Sequence, residues 1–395
     1  MKVWLTNFRV ILIIYLLLAI FASLQSYFGD LKPMVYGERL YTEYNNYVIF
    51  KYSFFHLIEL KDLYAAWPDE CGDLYKYSPA FAMFFAPFAI LPDYLGLSLF
   101  NILNALVLFF AFKNLSGFDK NRKSYMLWFV MIEMMTSIQN SQTNALIAGL
   151  IIFAFVFLEK EKIALGTLFI VLTVFIKLFG IVAFVLFLFS PKKIKFIAWS
   201  ALWTIILLII PLIAIPVKQL LFLYQSWGDL LANDHSASLG FSVMGWLHTW
   251  FGLDLNKTLV MLTGAVLFMV PFVRYKKYSE YGFRISILAS ILIWIIIFNH
   301  KAESPTFVIS MAGMAIWLFG KNLNLHNKTI VFVSLIFTSL TTTDLFPAFV
   351  RQQYLYPYIV KAVPSIFIWF WIIYENTFIK HLRQTGISRS ENIKS

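Results

Sequence analysis

The chain has 395 residues, of which 60% are hydrophobic and only 13% charged, and its mean hydropathy is +0.74. That is about half the charge of a soluble globular domain, which excludes water as the solvent for most of the fold. The net charge of +11 would fit nucleic-acid binding in a soluble protein. Here, however, Lys and Arg fall in short clusters between apolar runs, so the basicity reads as the positive-inside pattern of a membrane chain and implies no nucleic acid.

The runs Val10 to Phe21, Phe196 to Pro211 and Val260 to Phe272 are apolar on every side. A helix of that kind is surrounded by lipid or by other helices. Closed barrels need alternating segments of about ten residues, and these runs are continuous, so the class is all-α. No small-residue cleavage site follows the first run, which reads as an uncleaved first span.

Basic clusters occur at Lys2 and Arg9, at Lys113 to Lys123, at Lys160 and Lys162, at Lys192 to Lys195, at Arg274 to Arg284, at Lys321 and Lys328, and from Lys380 onward. Placing each in the cytoplasm forces the chain out and back between successive clusters, giving about twelve crossings with both termini cytoplasmic. The expected spans are 10–26, 95–112, 125–138, 143–158, 163–176, 178–190, 196–215, 258–273, 285–298, 306–319, 329–341 and 360–376. Residues 79–91, too few to span, form an interfacial or re-entrant helix. Four outer loops result, at 27–79, 216–257, 299–305 and 342–359, with a cytoplasmic tail at 377–395. The whole is one multi-span domain, with no soluble domain and no internal repeat.

In the first outer loop, a helix from about Asn46 to Leu60 places Phe50, Phe54, Leu57 and Ile58 on one face, the spacing of an interfacial helix. Cys71 is the single cysteine, with no partner for a disulfide, redox or zinc role. The segment Ser137 to Asn144 is a polar outer tip between two apolar helices. Lys177 forms the next tip, between Phe175-Ile176 and Leu178-Phe179; an ammonium in that setting either snorkels or meets an anion such as phosphate. The short turn Asn299 to Pro305 holds His300, Lys301 and Glu303, a cluster able to bind a phosphate or sugar or to satisfy itself as an ion pair. No zincin motif, nucleotide-binding glycine loop or nucleophile elbow is present, so neither metal nor cofactor is implied.

Taken in order, Tyr75-Lys76-Tyr77-Ser78-Pro79-Ala80-Phe81 and Phe85-Ala86-Pro87 through Leu91-Pro92 resemble the Y-x-P-P-x-F and A-P-x-x-x-L-P signature of glycosyltransferase family 87. Gln142-Thr143-Asn144 is similar to that family's G-Q-x-N tip, Ile176-Lys177-Leu178 to its I-K-[LP] tip, and His300 before Pro305 to its His-containing turn. The chain departs from the pattern in three places: Ser141 stands for Gly, Ser78 for the first Pro, and Asn46 at or near the Asp of the loop helix.

The resemblance implies a GT-C-like bundle and transfer of mannose or another hexose from a polyprenyl-phosphate sugar to a lipid or glycan acceptor, with inversion. Such transfer needs a carboxylate to deprotonate the acceptor and cations to stabilise the departing phosphate. Glu43, one turn before Asn46, is the first expectation for the base, with Asp73 and Glu303 behind it. Lys76, Lys177, His300 and Lys301 are the expected cations, and Asn46, Tyr77, Gln142 and Asn144 complete the substrate-binding set. A bacterial inner membrane is the expected location. The rival readings are a lipid-linked or small-solute transporter, for which Glu133 is the main intramembrane ionisable residue, and a noncatalytic envelope subunit.

Overall fold

The computed structural model describes residues 2–33, 39–233 and 238–379; the tail from Lys380 lies outside the described residues. The architecture is an all-α bundle. Among the described residues, strand pairing is confined to a two-residue antiparallel patch in which Lys32 faces Tyr41.

Helix α1 (Phe8–Tyr27) starts at Asn7, whose side chain accepts from the Arg9 amide at 2.9 Å. Ile11, Tyr15, Ala19 and Ala22 form its buried stripe, while Ile13, Leu17 and Phe21 are exposed, a face suited to lipid. The loop helix α2 (Asn45–Ile58) buries Phe50, Phe54 and Leu57 as expected, whereas Ile58 is exposed. It stops short of the expected end because Leu60 turns left-handed, with φ 60°.

The single helix expected at 79–91 is instead α3 (Pro79–Phe84) and a separate turn, Ala86–Ala89. Pro87 explains the break, since in a continuous helix its ring would clash with the carbonyl four residues back. Then come α4 (Asp93–Asn114), α5 (Lys120–Gln139), α6 (Asn144–Glu159) and α7 (Ile163–Ile176). The segment expected as an α span at 178–190 is a 3-10 helix, Leu178–Phe189. Twelve residues reach about 24 Å in that form against about 18 Å as α-helix, which extends a segment otherwise too short for a bilayer.

Helix α8 (Lys193–Ile209) follows. The stretch expected as an outer loop at 216–257 is largely helical, as α9 (Val217–Asn233) and α10 (Val243–Phe251). The chain closes with α11 (Lys257–Met269), α12 (Tyr281–Ile297), α13 (Phe307–Phe319), α14 (Leu325–Ser334) and α15 (Val363–Phe378). Among the described residues, three helices are long and apolar enough to cross a membrane: Phe8–Tyr27, Asp93–Asn114 and Lys193–Ile213. Ala348–Leu355 and Val360–Phe378 pass that test only as a pair, bent by 76°. The protein is therefore a membrane protein, and the remaining apolar helices are shorter than a full crossing.

The core centres on α12 and α13, where nearly every side chain is buried. They approach so closely that a Cβ on Gly313 would lie 2.6 Å from the Ala289 carbonyl oxygen. Small residues at such crossings let van der Waals packing hold helices together where water supplies no hydrophobic drive.

Candidate functional site

The site is organised around the tip between α5 and α6. Helix α5 ends at Gln139, and Ser141 reverses the chain in the left-handed region, φ 51°, with its hydroxyl buried and unpaired. This accounts for the glycine in the related motif: an L side chain there costs about 1–2 kcal/mol, and glycine avoids it. Ser141→Gly is accordingly expected to stabilise the protein by about 1 kcal/mol, read as a higher Tm in detergent. An unchanged or lower Tm would show that the Ser141 hydroxyl makes a compensating bond.

From this tip a continuous polar chain runs in both directions. The Asn144 amide nitrogen donates to Gln142 Oε1 at 2.5 Å and to the Pro305 carbonyl at 3.0 Å. Its Oδ1 accepts from Lys177 Nζ at 2.8 Å, while Gln142 Nε2 donates to Glu303 Oε2 at 3.2 Å. Lys177, Asn144, Gln142 and Glu303, drawn from three separate tips, thus form one array. Asn144 is fully buried and Gln142 nearly so, whereas Glu303 is exposed.

Lys177 sits in extended backbone between α7 and the 3-10 segment, with φ −140° and ψ 123°. Its ammonium lies 5.9 Å from the Tyr77 ring and 5.7 Å from that of Phe179. Burial pushes the ammonium down to about 8, opposed by the pull of Glu303. The break is pinned from outside: the Ser78 hydroxyl donates to the Phe175 carbonyl at 2.6 Å and accepts from the Phe81 amide at 3.2 Å. The serine that replaces proline in the motif therefore caps α3 and ties it to the Lys177 tip. The signal for that role in the sequence is a hydroxyl at an N-cap position directly before Pro79.

Glu303 is set by its own backbone, whose carbonyl accepts from the Thr306 amide at 3.0 Å and hydroxyl at 2.6 Å. Tyr77 lies within electrostatic reach of Glu303 and Asp73, and burial raises its phenol well above the usual range. Asp73 caps the Leu74 amide at 2.7 Å and stands 3.8 Å from Lys76, both side chains being well exposed. Asn46 joins the tip directly, donating to the Asn140 carbonyl at 2.9 Å.

Glu43 has different company. Its carboxylate is 2.5 Å from Lys32 Nζ and packs against Gly29, just past the end of α1. No hydrogen bond or ion pair among the described residues joins it to the Lys177 array. The turn carrying His300 and Lys301 lies against the second outer segment, where the Phe241 amide donates to the Ala302 carbonyl at 2.8 Å. Cys71 is buried, and burial pushes its thiol up to about 11, which leaves it unreactive.

Among the described residues, no group of three His, Cys, Asp or Glu side chains is placed to hold a metal ion. No curated protein shows significant similarity to the chain. The sequence does match the family model of Glycosyltransferase family 87, over residues 75–298. That match covers more than half of the chain and takes in the Tyr75 motif, the Gln142–Asn144 tip and the Lys177 tip, ending before Glu303. With these tips gathered on one bundle of apolar helices, the chain belongs to glycosyltransferase family 87 and is a membrane glycosyltransferase.

Proposed function

We propose that the protein transfers a hexose, mannose being the first candidate, from a polyprenyl-phosphate donor to a lipid or glycan acceptor at the extracytoplasmic face, with inversion. The observation that carries this reading is the hydrogen-bonded line from Lys177 through Asn144 and Gln142 to Glu303. It supplies one cation and one carboxylate in a single array, the two charges that such a transfer requires.

In the step, the acceptor oxygen bonds to the anomeric carbon from the face opposite the phosphate. The bond from that carbon to the phosphate oxygen breaks, and its electron pair leaves with the lipid phosphate, whose charge Lys177 stabilises. The acceptor proton passes to the base. Glu303 supports that role best because its partners belong to the array; Asp73 is next, and Glu43 is engaged with Lys32. Lys76, His300 and Lys301 are the further cations of this reading, and Asn46 and Tyr77 shape the acceptor side. We place the chain in a bacterial inner membrane with about twelve crossings and both termini cytoplasmic, as the basic clusters require.

A transporter reading drew on Glu133 as an intramembrane charge. That carboxylate is paired with Lys361 at 2.7 Å, so it needs no transported ion to account for it. The test is to incubate membranes containing the protein with radiolabelled polyprenyl-phosphate hexoses. Label is expected in a new glycolipid or glycan, absent when the protein is omitted. Label that crosses sealed vesicles while remaining on its original lipid would replace transfer with transport.

A further inference from the structure

An ion pair with almost no exposure lies away from the array. Lys361 Nζ stands 2.7 Å from Glu133 Oε1, with the two side chains 1% and 0% exposed. Lys361 belongs to the turn Val360–Ala362 that leads into α15, and it also reaches Thr342 Oγ1 at 3.4 Å and lies 5.5 Å over the Phe307 ring. Glu133 is on α5, about two turns before the Asn140–Asn144 tip, and lies inside the family match, whereas Lys361 lies beyond it.

The tip end of α5 is held unequally on its two sides. Toward α1 and α2 it is fixed by the Ser26 hydroxyl on the Gln139 carbonyl at 2.9 Å, Gln139 Nε2 on Gln25 Oε1 at 2.8 Å, and Asn46 on the Asn140 carbonyl. On the other side, Ser137 shares the Glu133 face but its buried hydroxyl has no partner, and Thr338 has none, while the Ser339 hydroxyl faces the Glu133 carboxylate. Glu133 with Lys361 is the strong polar tie there. The segment that delivers Lys361 is itself strained: it passes through the π-helical turns Leu335–Ser339 and Arg351–Leu355 and a left-handed Ile359, φ 54°. A β-branched residue keeps that conformation only where its surroundings over-determine it.

We propose that Glu133 and Lys361 are a positioning pair for the catalytic tip, the C-terminal segment using Lys361 to hold α5 so that Gln142 and Asn144 stay in register with Glu303 and Lys177. The catalytic meaning of that tip rests on the proposed transferase reading. Removing the ammonium leaves a buried carboxylate that must take up a proton or move toward water, and movement displaces the end of α5.

Hydrogen exchange on the full chain in nanodiscs, without substrate, tests the pair directly. Lys361→Met is expected to accelerate amide exchange across 137–146 by about tenfold or more, with α12 unchanged. The exchanged pair Glu133→Lys/Lys361→Glu is expected to restore most of the protection. If Lys361→Met does not fold, Glu133→Gln, whose amide still accepts from Lys361, is expected to give a smaller acceleration in the same segment. In the transfer assay, Lys361→Met is expected to lower kcat/KM by about 10²-fold, the scale of a displacement near 1 Å, with recovery in the exchanged pair. Unchanged exchange at 137–146, or acceleration spread evenly over α12 and the tip, would overturn the proposal. Because exchange is read without substrate, absent transfer in the wild type counts against the transferase reading alone.

Discussion

Glu303→Gln is expected to lower kcat for hexose transfer by about 10²- to 10⁴-fold while donor affinity changes by no more than about twofold. The amide preserves shape and can still bond with Gln142, which sits 3.2 Å from the carboxylate, so the substitution deletes basicity and little else. Glu43→Gln provides the contrast. It breaks a pair with Lys32, whose side chain is 60% exposed, and contacts of that kind contribute at most about 1 kcal/mol. Its kcat is expected to stay within about threefold of the parent. Steady-state kinetics with a saturating acceptor measure both. A large kcat loss in Glu43→Gln with none in Glu303→Gln would return the base to the segment just before the loop helix, and a loss confined to Asp73→Asn would assign it to Asp73.

Lys177→Ala is expected to weaken donor binding by about 10- to 100-fold, the loss of one charge-assisted hydrogen bond of about 1.5–3 kcal/mol. The pH dependence offers a sharper test. Burial holds the ammonium down to about 8, so the charged fraction falls as pH rises through that value. If the charged form binds phosphate, kcat/KM for the donor declines above about pH 8. In kcat the decline moves to higher pH, because bound phosphate favours the ammonium. Lys177→Arg is expected to abolish this alkaline limb, since guanidinium remains charged, while recovering only part of the affinity because its planar fork differs from a point charge. An alkaline limb that persists in Lys177→Arg would assign the titration to another group. Wild-type donor affinity in Lys177→Ala would mean that the lysine serves only its neighbours Asn144, Tyr77 and Phe179.

Apolar runs without periodicity determined the all-α membrane class, because in lipid each backbone polar group must be satisfied within its own segment. Helical structure lies over each of the twelve expected segments, since punctuation by Pro, Gly and basic clusters is local chemistry. Among the described residues, however, only three helices, or four with the bent pair, have the length and apolarity of a crossing. Tips at Gln142–Asn144 and Lys177 were legible for a similar reason, as polar residues stand out where the neighbours are apolar. Local signals did not reveal that Leu178–Phe189 is 3-10, that the second outer loop is mostly helical, or that Pro87 splits the segment after Pro79.

Which charges meet was decided only by the tertiary structure. In a linear reading Glu43 stands ahead of Glu303 as the base, yet Glu43 is packed against Gly29 and Lys32 while Glu303 is bonded to Gln142. Ser78 appeared as a departure from a motif until its hydroxyl met the Phe175 carbonyl. Glu133 and Lys361 are separated by 228 positions, and neither flank predicts the other. Coulomb and hydrogen-bond energies depend on distances of a few ångström, and in a bundle those distances are set by which helices pack together, which no local segment encodes.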